Sequence, residues 1–256
     1  MYKIDENTLR KISAKQFCNQ FFTGNPKPVI FWDTCALLNI IRFIYREDPG
    51  DVTTFDAIKK IHDAILNNEI LSVSCESVIT EYNNNVNEAV RLIEDSVAKT
   101  DTYYKNILDV INKLDNTATG YTTVRAQQMP QKLHSMVDDI LHRTSFITID
   151  KTAASNAHKR VLQKKAPAGK KEEFKDCTIW EVMLSCFRQL NTVDKNIPKV
   201  FYTVNVQDFC KIENKVPQSF IHELLMEAIP LHFICCKSVF EVVSVNHQFN
   251  VMPCKT

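Results

Sequence analysis

Four acidic residues carry most of the chemical content of this chain. Asp33 follows the apolar run Pro28-Val29-Ile30-Phe31-Trp32 and precedes the helix-like stretch Thr34-Cys35-Ala36-Leu37-Leu38-Asn39-Ile40-Ile41. A strand there would deliver one carboxylate to its C-terminal tip, which is how sites are built in open sheets. Glu81, Asp176 and Asp208 repeat the theme of an acid at the edge of an apolar element. Carboxylates gathered in one cleft repel unless a cation compensates them or some are protonated. Oxygen-only ligands suit Mg²⁺ or Mn²⁺, which can activate water and stabilise the leaving oxygen of an in-line displacement, with two ions about 3.5 to 4 Å apart in the two-metal case. The chemistry implied is metal-dependent hydrolysis of phosphodiesters. Any one of these acids taken alone is more often a helix cap than a ligand, so the weight rests on the four together.

The elements that must position them alternate between strand and helix. Thr8 to Phe22 spaces Leu9, Ile12, Phe17 and Phe21 for an amphipathic helix, separated from the first strand by Gly24-Asn25-Pro26-Lys27-Pro28. Asp48-Pro49-Gly50-Asp51 breaks the helix after Asp33, and Thr54 to Leu66 resumes helical spacing. Glu69 to Val73 reads as a short strand, with Ser74 as the N-cap of a helix bearing Glu81. From Tyr82 to His142 the pattern stays helical, with breaks expected at Lys99-Thr100-Asp101 and from Asn116 to Tyr121. Asn83-Asn84-Asn85 reads there as a solvated face or a kink. Ser145 to Ile149 is a strand, Asp150-Lys151-Thr152 opens a helix, and Lys164 to Lys171 is a loop. Phe174 to Leu190 is a helix with Asp176 in its first turn, and Lys199 to Val204 a strand with Asp208 four residues beyond it. The tail offers a helix from Pro217 to Ala228, a strand from Leu231 to Cys235 and a short helix near Val239. Strands separated by helices predict an α/β fold, a mainly parallel central sheet covered by helices on both faces.

Composition narrows the setting. The 256 residues suffice for a substantial core, and 45% hydrophobic with 24% charged residues is ordinary for a globular protein. A formal charge of +1 means that affinity for a polyanion has to come from a local patch. The nine cysteines are odd in number and form no CxxC pair, as expected of buried thiols in a reducing cytosol. No apolar stretch is long enough for a membrane span and no leader pattern opens the chain, so a cytoplasmic protein is expected. The four glycines are isolated, which excludes the glycine-rich phosphate loops.

Val29-Ile30-Phe31-Trp32-Asp33-Thr34-Cys35-Ala36-Leu37-Leu38 resembles the opening strand and Asp-Thr/Ser signature of PIN-domain nucleases. Ser77-Val78-Ile79-Thr80-Glu81-Tyr82 is similar to their Glu-bearing helix, and Phe174-Lys175-Asp176-Cys177-Thr178-Ile179-Trp180-Glu181 resembles the Lys-Asp-x-x-Ile-Trp-Glu element of a bacterial subgroup. Thr203 to Phe209 resembles the Thr-x-Asn-x-x-Asp-Phe ending found also in toxin ribonucleases of toxin–antitoxin pairs. The resemblance spans residues from about 28 to 212 and is carried by an ordered set of four short motifs. It implies that Asp33, Glu81, Asp176 and Asp208 are the catalytic, metal-binding acids for Mg²⁺ or Mn²⁺, and that Thr34, Thr203 and Asn205 orient an acid or water. It implies a PIN-like domain over 28–256, with a helical insertion at 82–144 and a C-terminal extension at 213–256, after an N-terminal helix and linker at 1–27. It also implies an endoribonuclease, as a toxin or anti-phage effector restrained by a regulatory protein or a larger defence complex. Many PIN domains carry an acid where Val206 stands here, which sets Asp208 apart from the other three.

His158-Lys159-Arg160, Lys164-Lys165, Lys170-Lys171 and Lys175 form a basic stretch beside Asp176. Arg160, Lys170, Lys171 and Lys175 are its candidates for holding a phosphate backbone, with a solvated loop as the equal alternative. RNA is the expected partner ahead of DNA, and the long helical insert between Tyr82 and His142 is expected to pack as a bundle within the monomer, with a homodimer or partner surface as the alternative. Glu181 sits about 140° round the helix from Asp176 and reads as a surface or supporting residue, and Trp180 as core. Two other readings stay open: a degraded PIN-like scaffold that binds without cutting, for which Val206 speaks, and a structure-specific DNA nuclease. A haloacid-dehalogenase-type phosphatase needs an acid where Cys35 stands, and no local signature ties a histidine to a cysteine nucleophile. His232 with Cys235 and Cys236 gives only a faint zinc pattern, because adjacent residues of a strand face opposite ways.

Overall fold

A computed structural model of the chain describes residues 2–20, 27–43, 52–168, 174–205, 209 and 232–235. Among these, strands β1 (Arg10–Ile12), β2 (Val29–Trp32), β3 (Leu71–Cys75), β4 (Ser145–Ile147), β5 (Lys199–Thr203) and β6 (His232–Cys235) form one sheet. Its order is β1-β4-β3-β2-β5-β6, and every neighbouring pair runs parallel. The helices are α1 (Ala14–Asn19), α2 (Thr34–Ile41), α3 (Val52–Leu66), α4 (Glu76–Asp115), α5 (Met129–Arg143), α6 (Lys151–Leu162) and α7 (Phe174–Val193). The chain steps outward from β2 to β3 to β4 and then returns to the other side of β2 with β5. The crevice at the carboxyl ends of β2 and β5 is therefore the switch point where ligands bind in such sheets.

The sheet is covered on both faces, because every residue of β2 and β5 is buried. Successive side chains of a strand point to opposite faces. Phe31 accordingly meets Phe187 of α7 edge-on at 6.1 Å, while Trp32 lies 5.4 Å from Tyr202 among Ile40, Ile58, Ile61 and Ile140 of α2, α3 and α5. Trp180 is fully buried and packs on Phe201 and Phe209, in keeping with a core residue.

Several local expectations are corrected. The segment expected as one N-terminal helix instead forms a short 3-10 turn at Glu6–Thr8, strand β1 and α1, whose Ser13 and Gln16 make a reciprocal capping box. Edge pairing of Arg10–Ile12 with Ser145–Ile147 outcompetes the helical spacing. Ser74 does not cap α4: it lies in β3, its hydroxyl donates to the Trp32 carbonyl at 2.8 Å, and Cys75 takes the N-cap position without a side-chain bond. No break occurs at Lys99-Thr100-Asp101. α4 runs unbroken for 40 residues, and within it Thr100 and Thr102 turn their hydroxyls onto the carbonyls of Ser96 and Ala98 instead of ending the helix. Asn83 is not a solvated residue, since its amide pairs with both the N–H and the carbonyl of Ile4. The break after Asn116 is real, with Asn116 itself in the left-handed region at φ 49°. The expected helices at Pro217 to Ala228 and near Val239 lie outside the described residues.

Lys199 opens β5 fully buried, its ammonium donating to the Ile197 carbonyl at 2.7 Å. Burial pulls it from 10.5 down to about 8, against an upward pull from Asp194. Between those values the unfolded chain holds a proton that the folded chain has lost, so this residue's contribution to stability rises with pH across that window. Lys199→Met is expected to gain about 2–3 kcal/mol near pH 7, with the gap to wild type closing toward pH 10.5. Urea titrations of both proteins near neutral pH and in that upper range check this, and a gap independent of pH would refute the desolvation account.

Candidate active site

The sheet register builds the site. Trp32 stands opposite Tyr202 of β5 and Ser74 of β3, so the next residue on β2 emerges between the ends of both neighbours. That residue is Asp33, whose N–H still donates to the Tyr202 carbonyl at 3.0 Å while its side chain caps α2 through the Thr34 N–H at 2.7 Å. Its other oxygen accepts from the Thr203 hydroxyl at 2.6 Å and the Cys35 thiol at 2.7 Å. The Cys35 sulfur also lies 3.2 Å from the Thr203 hydroxyl and accepts the Val204 N–H at 3.3 Å. Asp33 is only 3% exposed, and every donor found on it among the described residues is neutral.

The electrostatics follow from that burial. Loss of water pushes the Asp33 carboxyl above the ordinary carboxylate value, partly offset by the Cys35 thiol, the Thr203 hydroxyl and the N–H groups of Thr34 and Cys35. Burial and the adjacent carboxylate push the Cys35 thiol well above its own ordinary value, which keeps it a neutral donor. An anion in so dry a place stays charged only if a cation joins it.

Glu81 lies in the second turn of α4, and the Thr34 hydroxyl donates to it at 2.9 Å. Asp176 lies in the first turn of α7, where the Asn205 amide reaches it at 3.4 Å. Asn205 is itself tied back, its N–H donating to the Thr203 hydroxyl at 3.1 Å. The three acids therefore belong to one hydrogen-bonded group through Thr34, Thr203 and Asn205. Among the described residues, no three histidine, cysteine, aspartate or glutamate side chains already converge as a metal cage. Asp208 lies outside the described residues. The donor set still suits a hard cation: it is all carboxylate oxygen, one member is desolvated, and small neutral side chains hold all three.

The basic candidates divide. Arg160 is corrected: it is 3% exposed, and its guanidinium pairs with the Glu181 carboxylate and donates to the Ala166 carbonyl at 2.7 Å. Glu181, expected either at the surface or in a supporting role, is not at the surface: it is 5% exposed and forms the other half of that pair. A buried charge needs a partner, and these two satisfy each other across α6 and α7. Arg160 thus has no face to offer a nucleic acid. Lys175 is exposed beside Asp176, and Lys170 and Lys171 lie outside the described residues. Sequence reasoning missed Cys35 as a support of Asp33. Its place two residues after the acid was the available signal, because a short helical turn brings that side chain back over the N-cap.

Among the described residues no helix is long and apolar enough to cross a membrane. Cys18, Cys35, Cys75, Cys177 and Cys186 are free thiols. A family model described as the PIN domain matches residues 30–209. No curated protein and no solved structure matches the chain. The matched span opens inside β2, contains all four motif acids and closes on Phe209 under β5. With that span and a parallel α/β sheet that brings three of those acids to one edge, the chain belongs to the PIN-domain nuclease superfamily.

Proposed function

We propose that the protein is a divalent-metal-dependent endoribonuclease, with Asp33, Glu81 and Asp176 as the acids that hold the cation and Asp208 completing the set. The observation that carries this reading is Asp33, a desolvated carboxyl at the tip of β2 whose donors among the described residues are all neutral. A bound Mg²⁺ or Mn²⁺ supplies Lewis-acid stabilisation of the phosphodiester oxygens and makes water a competent nucleophile near neutral pH. The chain's own residues supply position. Thr203 and Cys35 fix one Asp33 oxygen, the α2 N-terminus fixes the other, Thr34 aims Glu81, and Asn205 aims Asp176. Water adds to phosphorus as the bond to the leaving oxygen breaks in line, and Lys175 beside the crevice offers a cation to the strand's backbone.

RNA is preferred to DNA because the Thr203-to-Phe209 segment resembles the ending of toxin ribonucleases. A toxin or anti-phage effector held by a protein partner is the biological setting this suggests. The test is cleavage of end-labelled single-stranded RNA and matched DNA with Mg²⁺, with Mn²⁺ and with EDTA. RNA cutting that EDTA abolishes is expected. Cutting of DNA alone would redirect the assignment to a deoxyribonuclease, and Mn²⁺ binding with no cutting of either would point to a scaffold or to an enzyme awaiting its partner.

Asp176→Asn keeps the shape and hydrogen-bonding reach of the side chain and removes only its charge. Isothermal titration should show Mn²⁺ affinity falling about tenfold or more, since one lost charge–cation interaction is worth more than about 1.4 kcal/mol in a partly dry site. Unchanged affinity would take Asp176 out of the metal set.

A further inference from the structure

The 40-residue helix α4 is about 60 Å long, and its outer half meets the returning chain along one flank, where Tyr121 stacks on Tyr104 at 6.1 Å. Its buried residues end at Val97. The apolar pattern does not end there. Val86, Val90, Ile93, Val97, Thr100, Tyr104, Ile107, Ile111 and Leu114 alternate steps of four and three residues, an unbroken a/d heptad register. Val86 to Val97 are covered by the protein's own core, whereas Tyr104, Ile107, Ile111 and Leu114 are 51, 36, 41 and 75% exposed.

The flanks of this outer half differ. On the e side, Asp101 accepts the Tyr121 hydroxyl and the N–H groups of Val124 and Arg125, which lays the returning chain along the helix, and Leu108 is half-buried on the same side. On the g side, Tyr103 and Val110 are open. The result is one exposed stripe of six large apolar side chains with no charge in its a, d or g positions. Contiguous apolar surface of this kind marks an interaction site.

We infer that this stripe pairs with the same stripe of a second copy of the chain, the two outer halves of α4 lying antiparallel around a two-fold axis. Antiparallel pairing sets Tyr104 against the partner's Leu114 and Ile107 against the partner's Ile111, and brings Val110 near its own copy at the axis. The body of the protein dictates that orientation. Its core already fills the a/d face from Val86 to Val97, so a parallel partner would drive its own first half into that core. An antiparallel partner carries its body away past Asn116. The stripe is self-complementary, and its a, d and g positions meet no charge; on the e flank Asp101 comes opposite the partner's Asp115, but the Asp101 carboxylate is already held by the Tyr121 hydroxyl and the Val124 and Arg125 N–H groups. Six side chains offering on the order of 100 Å² each bury about 600 Å² per copy, and the flanking residues bring this toward the roughly 800 Å² of a standard interface.

Analytical ultracentrifugation tests the inference. Wild type is expected at about twice the 29.5 kDa chain mass, and Ile111→Glu and Leu114→Glu each at the single mass with unchanged circular dichroism. Neither substitution touches the core, so a fall in mass reports the interface. Val110→Cys should form a disulfide-linked dimer under mild oxidation, and Leu114→Cys should not, with wild type as the background for the native thiols. A wild type that stays monomeric at tens of micromolar, or a dimer that survives both glutamate substitutions, overturns the pairing. Cross-linking through Leu114→Cys instead of Val110→Cys overturns the antiparallel arrangement.

Discussion

Asp33→Asn should abolish metal-dependent cleavage and at the same time raise the melting temperature of the metal-free protein. The two effects have one cause. Asp33 is a nearly water-free carboxyl with neutral donors around it, so in the absence of a cation its charge is a cost that the fold carries. Its folded value is raised above the ordinary one. The folded chain therefore holds a proton that the unfolded chain has released, and stability falls as pH climbs from the ordinary carboxylate range through the raised value. Asparagine keeps the cap, since its carbonyl can accept the Thr34 N–H while its amide donates to the Thr203 hydroxyl, and it removes the charge. The variant should melt higher than wild type in EDTA at neutral pH, with the gap shrinking as the pH is lowered. Mn²⁺ should stabilise wild type and leave the variant unmoved. In the proposed reading its cleavage rate falls by at least about a thousandfold, because the cation's stabilisation of the reacting phosphate is worth several kcal/mol. Differential scanning fluorimetry with and without Mn²⁺, beside the cleavage assay, decides. A variant that melts lower in EDTA would mean that Asp33 is a structural cap and no more.

The second large effect lies away from that site. Arg160→Met should cost about 3–5 kcal/mol, since it leaves the Glu181 carboxylate buried without its counter-charge. The Asn156 amide, 3.4 Å from the other Glu181 oxygen, cannot replace a guanidinium. The Ala166 carbonyl loses its donor as well. The double variant Arg160→Met with Glu181→Leu should recover most of that loss, because two apolar side chains of similar volume replace a pair whose attraction is largely spent on its own desolvation. Urea unfolding of the two single variants and the double variant measures the cycle. A single variant of wild-type stability with weakened RNA binding would restore Arg160 to the nucleic-acid surface and refute the burial account.

The same pair shows where reading a chain residue by residue fails. Arg160 and Glu181 are 21 residues apart, on two different helices. Along the chain, Arg160 sits between lysines and reads as part of a basic patch. Nothing local distinguishes an arginine that faces water from one that faces the next helix, because the long side chain serves either place. Cys35 is a similar case, since its hydrogen bonds to Asp33 and Thr203 join residues 2 and 168 positions away. Ser74 looked like a cap because serine favours that role, yet the neighbouring strand offered the Trp32 carbonyl first. Each miss is a competition between a local preference and a distant partner, won by the partner.

What the chain determined by itself is what depends on near neighbours. The apolar run before Asp33, its abrupt change to helical spacing at Thr34, and the repeated placing of acids at element edges are short-range patterns, and they were enough for an α/β sheet and for naming the candidate acids. The heptad steps of α4 were equally present in the sequence. Only the tertiary structure decided that Asp33 meets Thr203, a partner 170 residues away, through the Trp32–Tyr202 register. It also decided that Arg160 is sealed inside, and that the α4 heptads are covered up to Val97 and open beyond it. The physical reason is that periodicity and capping are set by backbone geometry over one or two turns. Burial, and with it the cost or safety of a charge, is set by whichever distant segment the whole fold brings alongside.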